Sequence, residues 1–102
     1  MSDKKIGCRT PNPEKEGITN IPEWKFNAVR NAILKSLRHG PILFSDLPKM
    51  VANELTPEEA SSLGSLGWHA TTVKLELEVR GEIERIPGRS PQEIRLKNPT
   101  DG

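Results

Sequence analysis

Four apolar residues at spacings of three and four, Phe26, Val29, Ile33 and Leu37, give this chain its clearest periodic signal. With Ala32 and Leu34 beside them they form one stripe of an amphipathic helix, expected over about 21–39. Asn20 can cap that helix, Glu23 can reciprocate three residues on, and Pro22 suits a first turn that needs no backbone donor. Arg38 and His39 occupy the last turn, and Gly40-Pro41 is a strong stop. Ile42-Leu43-Phe44 is too short an apolar run for a helix and reads as a brief strand. Ser45 can cap a second helix over about 46–55, with Leu47, Met50, Val51 and Leu55 on its buried face. Thr56-Pro57-Glu58-Glu59 starts another helix, which Gly64 and Gly67 must keep short, so 56–67 reads as a connector.

Trp68 to Arg80 supports two readings. Val73, Leu75, Leu77 and Val79 alternate with Lys74, Glu76, Glu78 and Arg80, the period of a strand. The Glu, Lys and Leu content, and Gly81 as a stop, favour a helix. The residues beyond Gly81 tip the balance to the helix: Glu82 to Ile86 and Gln92 to Lys97 alternate around the turn Pro87-Gly88-Arg89-Ser90-Pro91, as a β-hairpin does. Residues 1–19 carry two prolines, two glycines and many charges, and read as a flexible arm. The folded domain is expected over 20–97, with a polar tail over 98–102.

The order helix, short strand, helix, connector, helix, hairpin, together with Leu77, Gly81, Ile83, Glu84 and Arg85, resembles the winged-helix transcription regulators. The resemblance covers roughly residues 22–97. It implies an α+β winged helix: three main helices, a short strand after helix 1 and a C-terminal β-hairpin wing. The segment Gly67 to Leu75, with Gly-Trp ahead of Thr-Thr-Val-Lys-Leu, is also similar to a bacterial family of small proteins of unknown function. That second resemblance implies no activity.

Composition adds bounds. Of 102 residues, 33% are hydrophobic and 28% charged, enough apolar content for one modest core. The net charge of +1 gives no push toward nucleic acid, whose binders draw most of their affinity from neutralising phosphates. One cysteine, Cys8, and two histidines can build neither an internal disulfide nor a closed zinc site. A reduced, cytoplasmic setting is expected, with Cys8 an ordinary thiol of the arm. No apolar run is long enough for a membrane span and no leader is evident, so no membrane partner is expected. No nucleophile-and-base motif, glycine-rich phosphate loop or HExxH occurs, so neither catalysis nor a cofactor is expected.

Two functions stay open. As implied by the resemblance, the third helix would enter the major groove of double-stranded DNA through His69, Thr71, Thr72 and Lys74, with Arg85, Arg89 and Arg95 on the wing gripping phosphates. Leu75, Glu76 and Glu78 stand against this, since a polar or basic face is wanted there. The alternative is a homodimer or other protein contact without nucleic acid. Trp68, Thr72, Leu75 and Val79 form a second apolar stripe, more than one small core needs. Trp68 could instead anchor the third helix in the core.

Overall fold

The computed structural model describes residues 4–10, 18–88 and 90–97. Arg89 and the tail expected over 98–102 lie outside them. Among the described residues the fold is α+β, with four α-helices and two small sheets.

The chain opens with a hairpin: β1, Lys5–Cys8, pairs antiparallel with β2, Thr19–Pro22. The flexible arm expected over 1–19 is corrected here for the part described. Ile6 and Cys8 share a face opposite Ile21 and Thr19, and Cys8 and Ile21 are buried. Gly7 permits the close pairing, because a Cβ there would lie 2.7 Å from a methyl of Ile18. The hairpin also displaces the expected cap of the first helix. Asn20 is taken up by β2, opposite Gly7, and α1, Glu23–Leu37, starts with no side-chain cap. The Lys4 carbonyl instead accepts from the Glu23 N–H at 2.9 Å, so the chain ahead of β1 satisfies a donor of the α1 terminus.

The apolar stripe of α1 forms as expected: Phe26, Val29, Ile33 and Leu37 are all buried. After β3, Ile42–Leu43, a 3-10 turn over Phe44–Asp46 leads into α2, Leu47–Glu54. The turn replaces the expected Ser45 cap, and Leu47 and Val51 face the core. The connector contains α3, Pro57–Leu63, held by the expected capping box: the Glu59 N–H donates to Thr56 Oγ1 at 3.1 Å and the Thr56 N–H to Glu59 Oε1 at 3.0 Å.

The ambiguous stretch is helical: α4 spans Leu66–Arg80. Ser65 caps it, accepting from the Trp68 N–H, and Gly81 ends it at φ +79°, a left-handed conformation that glycine adopts without a Cβ clash. Tertiary packing decides the period. Ala70, Val73 and Leu77 share one inward face, while Leu75 and Val79 turn outward, so the two-residue alternation is split between faces. Beyond Gly81, β4, Ile83–Arg85, pairs with β5, Glu93–Leu96, and β5 also pairs with β3 in the order β3-β5-β4. Ile42 lies opposite Ile94 and Ile83 opposite Leu96, which plants Ile83 and Ile94 in the core. The core therefore sits between α1, α2 and α4, closed by the three-stranded sheet at one side and the N-terminal hairpin at another.

Candidate functional site

Helix α4 carries the candidate residues outside the hairpin, and the structure sorts its residues into three zones. The inward zone is core. On one flank, Glu76 is 1% exposed and is gripped from two sides. The Arg9 backbone N–H and Nε donate to its Oε1 at 2.8 and 3.1 Å, and Arg9 Nη2 donates to Oε2 at 2.7 Å. Arg80 Nε adds a bond to Oε2 at 2.8 Å, while its guanidinium lies over the Phe26 ring. Burial alone would raise the Glu76 carboxyl, but the hydrogen bonds from Arg9 and Arg80 outweigh it and hold the group down at about 2. The same surroundings push the Cys8 thiol up to about 11, through burial first and the Glu76 charge second. Cys8 is thus protonated at neutral pH and a poor nucleophile.

On the other flank, Lys74 is 2% exposed. Its ammonium lies 2.6 Å from Glu78 Oε2, donates to Gln92 Oε1 at 2.9 Å and sits over the Phe44 ring. The contact with Glu78 is off the hydrogen-bond direction and acts as an ion pair. Burial pulls the Lys74 pKa below its ordinary value, and Glu78 opposes that shift. Arg85 reaches Glu78 at 3.6 Å from the hairpin.

The third zone faces outward. Trp68 is 47% exposed, so the core position considered for it is not the one it takes. Its ring is held edge-on to His69 at 4.8 Å between centroids. Thr71, Thr72, Leu75 and Val79 continue the face, each half-buried. A shallow pocket of about 90 Å³ runs between this face and the N-terminal hairpin, lined by Cys8, Arg9, Thr10, Thr19, Thr72 and Leu75.

The residues considered for DNA contact are therefore dispersed. His69 is buried, its Nδ1–H donating to the Ser65 carbonyl at 2.7 Å. Lys74 points into the fold. Thr71 and Thr72 stay on the outward face. Arg85 and Arg95 stand about half exposed on the hairpin, with Arg95 Nε bound to Glu84 at 2.7 Å. The residues considered for a protein contact, Trp68, Leu75 and Val79, stay together on one face. Among the described residues no three His, Cys, Asp or Glu side chains come together as a metal site would need, and no helix is long and apolar enough to cross a membrane.

The model of a family of unknown function, DUF6958, matches residues 5–94. The chain belongs to this family. The DUF6958 match takes in β1 and β2 as well as the helices, so the N-terminal hairpin lies within the family's unit. No curated protein and no solved structure matches the chain. The i,i+4 spacing of Lys74–Glu78 and Glu76–Arg80 is the sign of these ion pairs that the sequence offers. Sequence reasoning missed Arg9, which lies 67 positions from Glu76 and has no local pattern to reveal the pairing.

Proposed function

We propose that this chain is a winged-helix protein-interaction module that docks through the outward face of α4. The winged-helix reading is supported by the short strand after α1 joining the hairpin that follows α4, and by the packing of α1, α2 and α4 on one another. One observation carries the functional reading: the outward face of α4 is uncharged and largely apolar, while the two basic residues of the helix are engaged elsewhere, Lys74 buried against Glu78 and Gln92 and Arg80 bound to Glu76. A helix that enters a DNA groove needs donors and cations on its outer face. An exposed aromatic among apolar neighbours is instead what the centre of a protein interface contains. The cytoplasmic setting expected from the single cysteine belongs to the same proposal.

The test is a photoreactive side chain at Val79 in living cells, with the exposed α1 position Asn31 as control. Protein adducts at 79 and none at 31 support docking. Equal labelling at both, or none at 79, ends the reading.

A second reading, binding of double-stranded DNA, is favoured by the half-exposed Arg85 and Arg95 of the hairpin. Thr71 and Thr72 would then meet the duplex, and Arg89 would complete the wing. Under this reading the native protein binds duplex DNA at low salt, and changing both Arg85 and Arg95 to Ala lowers the salt slope by about two counterions. Absence of binding at low salt removes it.

A further inference from the structure

We propose that strands β1 and β2 act as a strap, which opens from α4 as one unit while the helices and the three-stranded sheet stay folded. The two strands make a sheet of their own, separate among the described residues from β3-β5-β4. A two-stranded hairpin is marginal by itself and depends on what it packs against. The strap puts Cys8 and Ile21 into the core, while the helices and the other sheet contribute Val29, Val51, Leu77 and Ile94, among others, to the same cluster. The body therefore keeps most of its core when the strap leaves. The seam between strap and helix is also incompletely filled, since the pocket of about 90 Å³ lies in it, so opening gives up fewer packing contacts there.

The latch is built to open without stranding a charge. Arg9 grips Glu76 through its backbone N–H, Nε and Nη2, but its side chain is 52% exposed and passes directly into water on release. Glu76 stays paired, because Arg80 lies one turn along the same helix and holds Oε2 at 2.8 Å whether the strap is closed or open. Losing one of two cationic partners costs far less than leaving a buried carboxylate alone. Thr72 and Leu75, at the middle of the outward face of α4, line the same seam as Cys8, Arg9, Thr10 and Thr19. Closed, the strap covers one side of those residues, and open, it bares them. That consequence for docking rests on the reading above, and the opening itself does not.

Cys8 is the single cysteine of the chain and is 4% exposed under the strap, so its alkylation by iodoacetamide at neutral pH reports the opening. The experiment follows that rate on the full chain through a urea series below the unfolding transition. Local opening exposes little surface, so the rate should stay nearly flat at low urea and steepen only near the transition. Arg9→Ala should raise the low-urea rate by about ten-fold or more. Ile94→Val lowers global stability from the far sheet and should leave that rate unchanged. A native rate that follows the full unfolding slope from zero urea overturns the inference. So does an Arg9→Ala rate equal to the native one, or an Ile94→Val rate raised in step with its loss of global stability. Should Arg9→Ala fail to fold, the native and Ile94→Val series still decide the matter. All of this uses the isolated chain, so a failure here leaves the adduct test at position 79 to judge docking separately.

Discussion

Glu76 remains ionised at 1% exposure because every lone-pair direction available to it is used by Arg9 or Arg80. Its folded pKa of about 2 lies below the ordinary value of 4.5, so the stabilisation it provides is complete above about pH 4.5 and is lost as pH falls toward 2. Glu76→Gln should remove roughly 1–2 kcal/mol of stability at pH 7, allowing for solvent around the arginines, and much less at pH 2. Urea melts at the two pH values check this, and an equal loss at both would contradict the account. Lys74 is the complementary case. Lys74→Met leaves Glu78 with only the 3.6 Å contact to Arg85 and should cost about 3 kcal/mol. Adding Glu78→Leu should restore most of that, because removing both charges leaves neither stranded. A double variant as unstable as the single one would show that packing, and not charge pairing, keeps Lys74 inside.

At the scale of elements, the N-terminal hairpin and the β4–β5 hairpin are tied to opposite flanks of α4, the first through Arg9–Glu76 and the second through Lys74–Gln92 and Arg85–Glu78. Arg9→Ala should loosen β1 without unfolding the helices. Amide exchange at Ile6 and Gly7 should then quicken while that at Val73 and Leu77 stays slow, and uniform acceleration across the chain would refute local release. Gly81 sets where α4 stops and β4 begins, with the Glu82 N–H donating to the Leu77 carbonyl at 2.9 Å. Gly81→Ala places a Cβ at φ +79° and should cost about 1 kcal/mol, readable as a lowered urea midpoint at unchanged slope.

For the whole molecule, the balance between the two functional readings turns on where charge ends up. Fifteen Lys and Arg against fourteen Asp and Glu leave little to attract a polyanion unless the cations gather on one side. Among the described residues Arg9, Arg30, Lys74, Arg80, Arg85 and Arg95 each pair with an acid. Among the described residues, Trp68, Leu75 and Val79 make an α4 face that carries no charge. If two copies meet there, the melting temperature rises with protein concentration, because association favours the folded state by mass action. Calorimetry across a concentration range of about two decades reads this directly, and a flat melting temperature would oppose self-association.

Local chemistry made much of the chain legible. Apolar residues at helical spacing marked α1, the Thr56–Glu59 box marked α3, and Gly40, Gly64 and Gly81 marked helix ends, because capping and periodicity act within a few residues. The surplus apolar stripe of α4 was legible in the same way. Tertiary structure alone decided that residues 5–8 form a strand, that Asn20 serves β2 in place of capping α1, and that Trp68 faces out while Lys74 faces in. The reason is that these outcomes depend on partners distant in the chain: Gly7 for Asn20, Glu76 for Arg9, Gln92 for Lys74. Their electrostatic and packing energies arise only once the fold has brought them into contact.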